Sequence, residues 1–263
     1  MALSKARLGV PRNMAFQNLL PDNTVLDAFE AALDIMEAAG ATIVDNTNIT
    51  DGARRAFTES DDQRTVLATD FVTNLPHLYL SKLTTNPLNL VSLADVRKFT
   101  QDEPLEEYPD RDTDLWDFAL RLGINNTSPA FQTSLDNLLR MAGPEGITGV
   151  LSNYSLDALV LPTDIAYGFS GILGSPAVTV PMGVYPADAP TTRTSRGGLI
   201  ETAPNVPFGI CFFGAKWSEE LLIGLAASYE HLTNARTKVQ PYLTPKTEIQ
   251  DVKGRKPGPD PAA

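Results

Sequence analysis

The chain has 263 residues, with 21 basic and 32 acidic side chains for a formal charge of −11. Area scaling for its mass gives roughly 11,000 Å² of folded surface against about 41,000 Å² unfolded, enough to bury a real core. With 43% apolar and 20% charged residues it is neither a disordered chain nor a coiled coil, and an acidic balance without a Lys/Arg cluster argues against nucleic-acid binding.

Cys211 is the single cysteine, which excludes an intrachain disulfide, a Cys-rich zinc site and an iron–sulfur cluster. It lies in the apolar run Val206-Pro-Phe-Gly-Ile-Cys-Phe-Phe-Gly214 and reads as a small buried hydrophobe. No apolar stretch approaches the roughly 18 residues of a membrane span, and the first residues lack a secretory hydrophobic segment. A cytoplasmic location is the expectation, under which the Asn-x-Ser/Thr sequons at Asn48, Asn125, Asn126 and Asn153 carry no weight.

The opening reads as a βαβ unit. Leu8-Gly-Val10 is a short strand, Asp22-Asn-Thr24 supplies capping oxygens, and Val25, Phe29, Ala32, Leu33 and Met36 recur at helical spacing before Gly40. Ala41 to Val44 is a second strand, expected parallel to the first.

From about Ala53 to Tyr154 the pattern is helical and is read as a peripheral insertion. Val66, Leu67, Phe71 and Leu75 share a helix face that Pro76 stops, and Ser92 with Asp95 forms a capping-box variant. Gln101 to Asp114 is an acidic loop by composition, and Asp114 to Leu122 is a helix followed by Gly123. Ser128 and Pro129 open another helix, whose expected buried stripe is Leu135, Leu138, Leu139 and Ala142.

Sheet character returns at Ala158–Leu161, Ala177–Val180 and Phe208–Phe213, runs suited to strands buried on both faces. The Gly-rich connection Gly168 to Gly174 lies between two of them. Pro186 to Pro207 reads as a Thr/Pro/Gly-rich loop. Ser218 caps a last helix with Leu221, Leu222, Leu225, Ala226 and Tyr229 on its inner face. The domain is placed at 1–245, with the insertion at about 53–154 and a disordered tail at 246–263.

Isolated chemistry is sparse. His77 and His231 are the only imidazoles, and neither stands in a metal-binding spacing, so no metal and no cofactor are expected. No Gly-x-Ser-x-Gly elbow, phosphate loop or dinucleotide fingerprint is present. A Ser-His-Asp triad stays open, because its members meet only in space. The pairs Asp61/Asp62, Glu106/Glu107 and Glu219/Glu220 read as solvated faces or helix starts.

Three stretches together resemble the amidase signature family. They are Leu156-Asp-Ala-Leu-Val-Leu-Pro-Thr-Asp164 with Gly171-Ile-Leu-Gly-Ser-Pro-Ala-Val-Thr-Val-Pro-Met-Gly-Val184, the run from Val206 to Leu222, and the opening Arg7-Leu-Gly-Val-Pro-Arg-Asn13 with Ala39-Gly-Ala-Thr-Ile-Val-Asp45. Glu106-Glu-Tyr-Pro-Asp-Arg-Asp-Thr113 is similar to the fungal branch. The resemblance covers about residues 6 to 243 and looks like the family's C-terminal portion.

That resemblance implies an α/β fold, a mixed and mostly parallel sheet with flanking helices, here an incomplete α/β/α sandwich. It implies hydrolysis of C–N amide bonds by a Ser–cis-Ser–Lys triad, in which a neutral lysine relays protons to the nucleophile. In the family those groups precede the Leu-Gly-Val-Pro-Arg strand. This sequence has no Ser-Ser dipeptide, and Lys5 is its only lysine before that strand, so no catalytic residue is assigned. Lys216 with Ser218 is read as a solvated lysine beside a helix cap.

Substrate binding is assigned to Asp164, Tyr167, Gly168, Ser170, Gly171 and Ile172. Tyr167 to Ile172 lie in the segment that resembles the family's substrate-side wall, and Asp164 stands at the top of a strand. Three readings follow. The first is an amidase polypeptide lacking its catalytic half and inactive alone, completed by an N-terminal half or by self-association. The second is a stand-alone, non-catalytic amidase-like companion in a biosynthetic pathway. The third is a new hydrolase built from the remaining serines and His231. The first carries a further expectation of an exposed apolar groove near Leu8–Val10 or along the Ala158 strand.

Overall fold

The computed structural model describes residues 2–15, 23–194, 198–238 and 243. The expected disordered tail at 246–263 lies outside the described residues. Strand β1 (Arg7–Val10) is followed by the short helix α1 (Arg12–Ala15), helix α2 (Asn23–Ala38) and strand β2 (Thr42–Asp45). Helix α2 buries Val25, Phe29, Ala32, Leu33 and Met36, the stripe expected from helical spacing. Gly40 leaves the helix at φ +94°, a conformation open to glycine.

The helical region that follows contains α3 (Asp51–Glu59), α4 (Asp62–Asn74), α5 (Leu93–Asp102), α6 (Asp114–Leu122), α7 (Pro129–Ala142) and α8 (Ile147–Tyr154). Helix α4 ends at Asn74, just before Pro76 as expected, but the coil does not. The chain widens into a π turn over Leu75–Tyr79 and tightens into a 3₁₀ turn at Leu80–Lys82. A wider turn tolerates the missing proline N–H within a continuing coil. At α5, Ser92 Oγ accepts from Asp95 N at 3.2 Å while Asp95 Oδ2 accepts from Ser92 Oγ and Val91 N, the expected cap. These bonds hold the Asp95 carboxyl below its usual range, the serine hydroxyl most of all. Ser128 occupies the N-cap of α7, but its hydroxyl is taken by Asn125.

Strand β3 (Ala158–Pro162) leads directly into α9 (Thr163–Leu173), so most of the Gly-rich connection Gly168–Gly174 is helical. Strand β4 (Ala177–Val184), the hairpin β5 (Thr192–Arg193) and β6 (Ile200–Thr202), strand β7 (Pro207–Phe213) and helix α10 (Glu219–Thr233) complete the fold. The Pro186–Pro207 stretch thus carries a small hairpin, closed by the Thr192 and Thr202 hydroxyls at 2.6 Å.

Five strands form one sheet in the order β2-β1-β3-β7-β4. Strand β1 runs parallel to β2 and β3, and β7 runs antiparallel to β3 and β4. Four strands therefore share one direction, giving the mixed, mostly parallel sheet with helices on both sides. Side-chain alternation splits the core. Ala158, Val160, Ile210 and Phe212 face α2 and α10, while Leu159, Leu161, Cys211 and Phe213 face α3, α7, α8 and α9. Both ends of the helical region, α3 and α7–α8, are accordingly part of one layer of the sandwich rather than periphery. Within α7, Met141 and Phe131 take core places and Leu139 is 39% exposed, contrary to the expected stripe. On α10, Leu221 is likewise partly exposed while Leu222, Leu225, Ala226 and Tyr229 are buried.

The groove expected at β1 or β3 is absent. Leu8, Val10 and Ala158 to Leu161 are fully buried, because β7 pairs with β3 and helices cover both faces. Among the described residues the sheet's edge strands are β2 and β4 instead, and Pro181 in β4 suits an edge, where its lost N–H breaks no ladder. Exposed apolar side chains gather on the α4–α5 arm, among them Leu67, Leu78, Tyr79, Leu83, Leu88 and Val91. Among the described residues no helix is long and apolar enough to cross a membrane.

Candidate functional site

The α9 segment forms a helix despite two internal glycines because Ile165, Ala166, Phe169 and Ile172 repeat at helical spacing, the first three buried and Ile172 packed against the same core. Gly174 ends it at φ +68°, and the N–H groups of Gly174 and Ser175 both donate to the Ser170 carbonyl. Helix α7 lies between α9 and α4. The three helices leave a groove of about 320 Å³ lined by Gln63, Val66, Leu67 and Asp70 of α4, Leu135 and Leu138 of α7, and Tyr167, Gly168, Gly171 and Ile172 of α9.

Four of the six residues assigned from the sequence thus come together as one wall. Tyr167 and Leu67 stand at the mouth, 69% and 56% exposed. The glycines differ. A Cβ on Gly171 would meet nothing within 4 Å, whereas one on Gly168 would come within 2.6 Å of Phe57 Cζ. Gly168 is required by the Phe57 ring, which stacks on Phe169 at 4.7 Å between centroids; Gly171 keeps the groove open.

The other two stand apart. Asp164 is exposed in the first turn of α9, where a carboxylate suits the helix dipole, and it does not line the groove. Ser170 is buried, and neither its hydroxyl nor that of Ser175 has a hydrogen-bond partner. Sequence reasoning missed the opposite wall. Gln63, Val66, Leu67 and Asp70 fall at i, i+3, i+4 and i+7, a single helix face bracketed by polar groups, which is the signal that could have found it.

Asp70 is the groove's charged group. Its Oδ1 accepts from Asn126 Nδ2 at 3.1 Å and from Asn74 Nδ2 at 3.5 Å. Among the described residues no lysine or arginine pairs with it.

Nucleophile candidates elsewhere are constrained. Ser218 occupies the N-cap of α10, but its Oγ donates to the Ala215 carbonyl at 2.7 Å and makes no side-chain cap bond. Cys211 is buried, and burial pushes its thiol up to about 12. Among the described residues no lysine amine is hydrogen-bonded to a serine hydroxyl, and no three His, Cys, Asp or Glu side chains gather to hold a metal ion.

No protein-family profile matches this sequence. A protein of Arthroderma benhamiae named as an amidase is 42% identical over 251 residues, spanning 95% of this chain and 41% of its own length. The crystal structure of the peptide amidase from Stenotrophomonas maltophilia superposes with a TM-score of 0.68 at 28% identity, over 91% of this chain and 45% of that one. A bacterial aryl acylamidase of the amidase signature family shares the fold at 15% identity and a TM-score of 0.55, over 89% of this chain and 45% of that one. The chain therefore spans less than half the length of the relatives it matches. By sequence relationship and by sheet architecture, the chain is similar to part of an amidase-signature-type protein.

Proposed function

We propose that this chain forms the substrate-holding side of an amidase, and that the groove between α4, α7 and α9 seats the amide. The Ser–cis-Ser–Lys set that would cleave the C–N bond lies outside these 263 residues, so the chain alone is inactive. One observation carries the reading: Tyr167, Gly168, Gly171 and Ile172 line a common groove within a fold similar to part of a peptide amidase. Its volume is at the lower end of the range for small-molecule sites. The Ser-Ser dipeptide is absent from the sequence, and among the described residues no lysine amine is hydrogen-bonded to a serine hydroxyl, which supports a nucleophile supplied from elsewhere.

The chemistry divides accordingly. A serine oxygen attacks the amide carbonyl, backbone N–H groups hold the oxyanion, the amine departs with a proton, and water releases the acid. This chain's share is positional. Leu135, Leu138, Val66 and Ile172 desolvate the apolar part of the substrate, and Tyr167 and Leu67 close over it. The test is a Gly171→Leu substitution in the amide-hydrolysing species that carries this chain. The larger side chain would fill the groove, so kcat/KM should fall at least about tenfold, roughly 1.4 kcal/mol, with the thermal midpoint retained. Unchanged kcat/KM for the Gly171→Leu variant would remove the groove from the substrate path.

A further inference from the structure

We infer that the groove selects amides whose apolar body also carries a cationic group, and that Asp70 is the counter-charge that enforces the choice. The inference rests on reading this groove as the amide seat, and it adds the substrate's charge. Along the groove the lining is apolar, from Val66 and Leu67 through Leu135, Leu138 and Ile172. Polar groups concentrate on α4, in Gln63 and Asp70, two turns apart on the same face.

Asp70 is not a solvated surface acid with a neighbouring base. It is partly buried, and both asparagines that hold it donate to the same oxygen, Oδ1. Oδ2 has no partner among the described residues. The two amide donors fix the carboxylate's orientation without neutralising it. A groove wall that is apolar and carries one oriented, uncompensated carboxylate attracts an ammonium-bearing ligand and repels an acid of the same shape. Tyr167 supplies an aromatic face at the same mouth, a second preference for a cation. The whole chain's charge of −11 favours the encounter in the same sense.

The measurement is ligand titration of the full chain by heteronuclear NMR, comparing 4-phenylbutylammonium with 4-phenylbutan-1-ol. These probes share the apolar body and differ in charge. The ammonium should bind at least about tenfold more tightly, shifting the amide signals of Gly168, Gly171 and Ile172, and the preference should shrink at high salt. Asp70→Asn keeps an acceptor for Asn126 and Asn74 and should bring the two affinities together. Gln63→Glu should widen the gap, which guards against an Asp70→Asn variant that fails to fold. Equal affinities in the unaltered chain, shifts at other residues, or a preference that survives Asp70→Asn would each overturn the inference. An amide-hydrolysing species with no preference for cationic amides would sink this inference alone. A chain that prefers the ammonium at these residues supports it, even if the species carrying it hydrolyses no amide and the amidase reading fails.

Discussion

Two glycines three residues apart on α9 should respond to the same substitution in opposite ways. A Cβ on Gly171 meets nothing within 4 Å. Alanine there removes the conformational freedom of an internal glycine, worth about 0.5–1 kcal/mol, which raises the thermal midpoint by roughly 1–4 °C for a chain of this size. At Gly168 the same Cβ lies 2.6 Å from Phe57 Cζ and 2.9 Å from Cε2. The ring cannot simply swing aside, because it stacks on the buried Phe169. Overpacking costs about 1–3 kcal/mol and outweighs the propensity gain, so Gly168→Ala should melt below the unaltered protein. Chemical unfolding of the two variants, alone and with Phe57→Ala, reads the argument directly. The coupling between Gly168→Ala and Phe57→Ala should reach about 1–3 kcal/mol, and that between Gly171→Ala and Phe57→Ala about zero. Additive behaviour at Gly168, or a Gly168→Ala variant as stable as Gly171→Ala, would refute the account of which glycine serves packing and which serves the groove.

Cys211 is buried and its thiol is pushed up to about 12, so a thiol-directed disulfide reagent at about pH 8 should label it only as fast as the protein unfolds; immediate labelling of folded protein would place the β7 register in error. Arg12 pairs with Glu30 and donates from Nε to Asp45 Oδ1 at 2.6 Å, holding the Asp45 carboxyl below its usual range. The stability this adds is present above the unfolded carboxylate value near about pH 4 and is lost as pH falls through the lower folded value. With Asp45 about half exposed, Arg12→Ala should cost about 1 kcal/mol at neutral pH, and urea titrations below about pH 4 should converge with the unaltered protein. A constant gap down to about pH 2 would assign Arg12 a packing role instead.

Local patterns were readable and non-local pairings were not. The five core residues of α2 and the Ser92–Asp95 cap follow from spacing and from capping chemistry within one turn. Tyr167 to Ile172 were identified by resemblance, yet their helix was hidden, because Gly168, Gly171 and Gly174 punctuate like a turn until Phe57 and the α7 layer are in place. The order of the sheet depends on β7 pairing with β3 across about fifty residues, so the expectation of an open β3 face had no local signal against it. Val66 and Leu67 share a helix face as expected, but that face is left partly open as a groove wall rather than filled as core. Only the position of α9 relative to α4 reveals the difference, and Asp70 gains its meaning with it.

The most direct test is ammonia release from a panel of small aliphatic, aryl and aminoacyl amides, measured for the isolated 263-residue chain and for the native species immunopurified through it, with the intact mass of each. The account predicts no turnover and no serine-directed covalent label for the isolated chain, and turnover only in a species or complex heavier than 28.4 kDa. Turnover by the isolated chain, with a covalent adduct on one of its own serines, would contradict it.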